Sequence, residues 1–169
     1  MVENNIRVLL NEKHVNELPE NEEVIDAYQY GLTYLPSFKR FSNLKILNVS
    51  KNNLQIIGDL PVTLTELYCW GNQLIKIEYF PSNLEIVVCS NNLLDQLPNF
   101  PKSLKYIDCS NNEIGYIPEI YQNLIEINCS NNKLSSLFIP DTVKILACSN
   151  NFLPYYDLKS MKKRSCFKL

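Results

Sequence analysis

Cysteine carries the most chemical promise in this 169-residue sequence, because five of its six thiols recur at nearly constant intervals: Cys69, Cys89, Cys109, Cys129 and Cys148. Such a series could pair into disulfides, hold a metal or supply a nucleophile. Neighbouring strands could bring such thiols within disulfide range, but a cytosolic setting opposes cross-links, and neither metal nor nucleophile fits the pattern. No Cys-x-x-Cys pair is present, and a linear ladder of thiols does not converge on a tetrahedral centre. A nucleophile needs a base beside it, yet the single histidine, His14, adjoins neither a Cys nor a Ser elbow. Small, reduced core side chains are the expected role of the series. Cys166 stands apart, near Lys162, Lys163 and Arg164. Those charges would lower a thiol pKa, but an incidental exposed thiol is the simpler reading. With only 4 glycines, a Gly-rich phosphate loop is not expected either. The expectations are no catalytic residue, no metal, no cofactor and no small-molecule substrate.

What positions the thiols is an internal repeat. Aligning Leu44, Leu64, Leu84, Leu104, Leu124 and Val143 gives spacings of 20, 20, 20, 20 and 19 residues. Each unit reads, with minor substitutions, Leu-x-x-apolar-x-Cys-x-x-Asn-x-Leu, followed three positions later by another apolar residue. Column four is Leu47, Leu67, Val87, Ile107, Ile127 and Leu146; column six is Val49 and then the five cysteines. Column nine is Asn52, Asn72, Asn92, Asn112, Asn132 and Asn151 without exception. Leu47, Val49, Leu54 and Ile57 step by two, five and three residues, and the same steps recur in Ile25, Ala27, Leu32 and Leu35 and in Val8, Leu10, Val15 and Leu18. Eight coils follow. Residues 1–43 would form degenerate capping coils, 44–156 six regular coils, and 157–169 a basic cap or tail, all within one domain.

The units resemble leucine-rich repeats. Prolines at Pro61, Pro81, Pro98, Pro101, Pro118 and Pro140 disfavour a return helix, since each removes an N–H donor and fixes φ. The short, Leu-Pro-rich pattern is similar to that of bacterial effector repeats and of the leucine-rich-repeat proteins of giant DNA viruses. Scarce Ala beside abundant Asn, Ile, Lys and Tyr fits an AT-rich genome, and with it the viral resemblance. The resemblance implies a solenoid of the α/β horseshoe class, made mainly of short parallel strands with extended or polyproline-like returns and little helix.

In that fold columns three to five form the strands, and columns one, four, six, eleven and fourteen point inward to a shared core. The column-nine asparagines are expected to satisfy turn backbone with their amides, a structural duty. Columns two, three, five, seven and eight are expected to face outward on the concave sheet surface, which the resemblance implies is used for partners. Column seven is Ser50, Trp70, Ser90, Ser110, Ser130 and Ser149, so the only Trp interrupts a run of Ser. Trp70, Tyr68, Ile86, Val88 and Tyr106, bordered by Glu66, Lys105 and Asp108, are therefore the candidate partner-binding patch.

Charge totals -2 but is unevenly placed. The residues up to Glu23 carry -4, and those from Asp157 onward carry +4. No run of apolar residues is long enough to span a membrane, and the polar, acidic start does not resemble a secretory leader. A cytoplasmic setting is expected, host-cell cytoplasm or virion if the chain is viral. A non-catalytic protein-protein interaction module is the reading these features favour. The alternatives are nucleic-acid or anionic-surface binding through the basic tail, which is disfavoured because so few cations hold poorly at physiological salt, or a structural virion role.

Overall fold

A computed structural model of the chain describes residues 17–154 and the backbone of Phe167 and Lys168. Most of the first predicted coil (Val8, Leu10, Lys13, His14, Val15) and, but for Phe167 and Lys168, the basic cap or tail over 157–169 with Cys166 lie outside the described residues.

Each coil contributes one three-residue strand: β1 (Val24–Asp26), β2 (Ile46–Asn48), β4 (Glu66–Tyr68), β6 (Ile86–Val88), β7 (Tyr106–Asp108), β8 (Glu126–Asn128) and β9 (Ile145–Ala147). A last strand, β10 (Phe167–Lys168), follows them, and all eight form one parallel sheet in chain order, β1-β2-β4-β6-β7-β8-β9-β10. Strand pairing places Ile25, Leu47, Leu67, Val87, Ile107, Ile127 and Leu146 side by side, with Phe167 next in register after Leu146. The tail thus returns to the sheet as an edge strand. On the return side, β3 (Ile56–Ile57) pairs with β5 (Lys76–Ile77). Helical backbone occurs only at Glu17 among the described residues. The fold is the expected parallel-strand solenoid.

Strands are short because the chain turns at both ends of each. Before the strand a tight turn closes from the carbonyl of Pro61, Pro81, Pro101 or Pro140 to the N–H three residues on, at 3.1–3.2 Å. Phe41 and Tyr121 accept the same bond from Leu44 and Leu124 in the coils without that proline. After the strand, column eight adopts left-handed backbone in every described coil: Gln29, Lys51, Gly71, Asn91, Asn111, Asn131 and Asn150 all have φ between 54° and 67°. Gly and Asn tolerate that region best, which accounts for their prevalence there. Column eight is therefore a corner beyond the strand, not part of its outward face as the sequence suggested.

Columns one, four and six are buried in every described regular coil, and columns eleven and fourteen in most. A further inward column was not anticipated: Phe38, Leu60, Phe80 and Phe100 fill the return side of the core, with the Phe80 and Phe100 rings 6.3 Å apart. No coil could bury these faces alone, so each stabilises its neighbours.

Candidate functional site: the outer face of the sheet

The asparagine column knits successive coils together. Asn92 Nδ2 donates to the carbonyls of Cys69 (3.1 Å), Cys89 (3.0 Å) and Ser90 (3.2 Å), while its Oδ1 accepts the N–H of Leu74 at 3.0 Å. Asn72, Asn112, Asn132 and Asn151 repeat the pattern, each bridging its own coil and the preceding one. Asn52 accepts from two N–H groups, those of Tyr30 and Leu32, because the preceding coil is longer there. These side chains occupy their own hydrogen-bonding capacity.

The cysteine column lies beneath. Cys69, Cys89, Cys109, Cys129 and Cys148 are all free and buried. Cys109 and Cys129 donate weakly to the carbonyls of Asn128 (3.5 Å) and Ala147 (3.4 Å) in the next coil. Burial holds the Cys69, Cys89, Cys109 and Cys129 thiols well above their ordinary pKa and pushes Cys148 up to about 11. Thiolate, the reactive form, is correspondingly suppressed. Among the described residues no group of His, Cys, Asp or Glu is arranged to hold a metal ion.

Columns three and five carry the outward side chains. Register sets Glu66 beside Ile86 and Ile86 beside Tyr106, and sets Tyr68 beside Val88 and Val88 beside Asp108. All six are half-buried. Tyr68 Oη donates to Glu66 Oε2 at 2.8 Å, and burial, with the Glu66 hydrogen bond and charge, pushes its phenol up to about 12. Tyr106 is raised too, by burial and then by the carboxylates of Asp108 and Glu126. Asp108 Oδ1 accepts from the Ser110 N–H (3.0 Å) and hydroxyl (2.7 Å), which ties down the start of the corner. Asn48 and Asn128 accept the N–H of Ser50 and Ser130 in the same way. Lys105, placed at the border of the patch by sequence, is engaged by Glu85 at 2.6 Å.

Column seven departs from expectation. Ser50, Ser90, Ser110 and Ser130 are buried, because the chain has already begun its corner and period-two alternation no longer holds. Trp70 cannot be accommodated inward as those serines are. Its ring instead meets Tyr28 with centroids 6.0 Å apart, across a fully buried Ser50, and Lys51 Nζ lies 5.1 Å from the indole centroid. Trp70 thus extends the surface toward the N-terminal coils. Tyr28 went unremarked in the sequence, although the offset from Ile25 puts it in column seven. Beside it a hollow of about 440 Å³ is lined by Asp26, Tyr28, Gln29, Tyr30 and Asn48.

The coil, its asparagine column and its open sheet define the class. The Leucine Rich Repeat family profile matches residues 103–124. No curated protein matches the chain. Among solved structures, a Shigella effector leucine-rich-repeat domain is 26% identical with a TM-score of 0.71, covering 92% of this chain and 84% of that domain. YopM from Yersinia enterocolitica is 34% identical with a TM-score of 0.77 over 80% of this chain, which spans only 30% of YopM. The functional domain of InlJ from Listeria monocytogenes, described as including a cysteine ladder, shares the fold at 23% identity and a TM-score of 0.62, over 85% of this chain and 40% of that one. The chain has the leucine-rich-repeat fold, and its repeats resemble those of bacterial effectors.

Proposed function

We propose that the chain is a non-catalytic interaction module that presents its sheet face to a protein partner. The observation that carries this reading is the contiguity of Tyr68, Ile86, Val88 and Tyr106 on β4, β6 and β7, a half-buried apolar patch held in fixed register by paired backbone. Rigid aromatic side chains such as Tyr68 and Tyr106 dominate interface energetics at little entropic cost, and branched neighbours exclude water around them. Likeness to the Shigella and Yersinia effectors supports an effector-like role, with host-cell cytoplasm as the proposed setting. A viral origin is kept as part of the proposal on compositional grounds alone.

Neighbouring coils supply a test that spares the fold. Column five already holds Asp108 and column three already holds Glu66 and Glu126, so Val88→Asp and Tyr106→Glu introduce charges that the same strand positions tolerate. Affinity capture with wild-type, Val88→Asp/Tyr106→Glu and Trp70→Ala baits should lose one and the same protein with the double variant, while thermal unfolding changes by less than about 1 kcal/mol. Trp70→Ala should weaken that capture by about 2 kcal/mol. Retention of every captured protein by the double variant would overturn the reading.

A further inference from the structure

The charged side chains that the three-residue strands of the main sheet turn outward are all of one sign. Among the outward side chains of β1, β2, β4, β6, β7, β8 and β9, the charged ones are Asp26, Glu66, Asp108 and Glu126, and none is Lys or Arg. Strand pairing spreads them on both sides of the apolar centre. Glu66 and Glu126 flank Ile86 and Tyr106 along column three, and Asp108 adjoins Val88 along column five. At the rim, Lys105 pairs with Glu85 at 2.6 Å and Lys51 lies over Trp70, while Lys45 and Lys144 are exposed one residue before β2 and β9. Only at the far edge does a lysine enter these columns, where Lys168 of β10 stands in register with Ala147.

A second feature points the same way. The hollow at the N-terminal end of the face is lined by Asp26, Tyr28 and Tyr30, and Asp26 Oδ1 there accepts from the Tyr28 N–H and Asn48 Nδ2, both at 3.0 Å. Aromatic faces and a carboxylate together suit a guanidinium or ammonium group. Asn48, which also lines the hollow, pairs in register with Tyr68, so hollow and apolar patch are one continuous surface.

We infer that the partner is a basic segment: an apolar anchor that seats on Ile86, Val88 and Tyr106, flanked by arginines or lysines that meet Glu66, Asp108 and Glu126 and reach the Asp26 hollow. This rests on the interaction-module reading and adds the chemistry of what is bound. Like-sign partners are rejected by the same four carboxylates.

The single Trp makes the test direct, since Trp70 emission reports on this surface. Wild-type chain would be titrated with a soluble peptide carrying a Leu-Leu centre flanked by arginines, and with counterparts bearing glutamines or glutamates in place of the arginines. The Glu66→Gln/Asp108→Asn/Glu126→Gln variant removes the charges and keeps the acceptors, since Asn48 and Asn128 already make the Asp108 turn contact in their own coils. Far-ultraviolet dichroism and melting verify that it folds. The arginine peptide should shift Trp70 emission and bind at least about tenfold tighter than either counterpart; about 0.5 M salt or the neutral variant should erase that advantage.

Equal binding of the three peptides, abolished by Val88→Asp, would overturn the basic partner while leaving an apolar interaction face standing. No effect of the arginine peptide on Trp70 emission or on melting would overturn the proposal outright. Concentration-dependent self-association that the neutral variant removes would name a second copy of the chain as occupant, and would overturn it as well.

Discussion

Asn92 binds four backbone groups in two coils with one amide, and nothing of similar size could replace it. Alanine would leave the Leu74 N–H unmet in a dry corner, while the carbonyls of Cys69, Cys89 and Ser90 would each lose one donor and keep Asn72 Nδ2, Asn112 Nδ2 and the Gly71 N–H respectively. Asn92→Ala should therefore cost about 2 kcal/mol, read from urea unfolding midpoints, and a loss below about 1 kcal/mol would show that water replaces the amide. The neighbouring corner residue obeys a different constraint. Asn91 has φ 57°, a region that excludes β-branched side chains more strongly than others. Asn91→Val should destabilise by about 1–2 kcal/mol, whereas Asn91→Gly should be close to neutral, as Gly71 holds the same corner one coil earlier.

Each three-residue strand turns one residue inward and two outward, so substitutions on a single strand should separate sharply. On β7, Ile107 is fully buried between Val87 and Ile127, while Tyr106 and Asp108 face out. A carboxylate at 107 would meet only apolar side chains in the core, at a cost of several kcal/mol. Ile107→Asp should abolish cooperative unfolding in a thermal melt, and an unchanged melting curve would contradict the shared-core account. The contrast with Tyr106→Glu, one residue away, distinguishes damage to the stack from damage to the surface.

Across the whole solenoid the stacked thiols couple stability to pH. Burial raises the pKa of Cys69, Cys89 and Cys109 above the value of 9.0 they take when solvated. A group whose pKa is raised by folding binds its proton more tightly in the native state, so its contribution is complete below pH 9 and is lost as pH climbs above it. Each of the three should remove about 1.4 kcal/mol per pH unit in that window. Melting temperature should be flat between about pH 7 and pH 8 and fall steeply by about pH 10, with a shallower fall for Cys89→Ala. A flat profile through pH 10 would mean that the column reaches solvent in the native state.

Much of this architecture can be read from spacing alone, because a repeat states the same local solution many times. The column-four series located the strands, and the columns on either side of it separated core from surface wherever the backbone is extended. That logic failed where the strand ends. Ser90 and Ser110 turn inward and Asn91 and Asn111 turn the corner, because left-handed backbone breaks the alternation on which the reading rested. Phe80 and Phe100 were legible as well, since Leu60, Phe80, Phe100 and Ile120 recur every 20 residues, but they lie beyond the consensus block, in return segments without strand alternation. The meeting of Tyr28 with Trp70, 42 positions apart, and the gathering of Asp26, Glu66, Asp108 and Glu126 on one face arise from stacking. Repetition encodes the coil, since every unit needs the same buried partners; the surface is composed from the positions where units differ, and those become neighbours only once the coils are laid one on another.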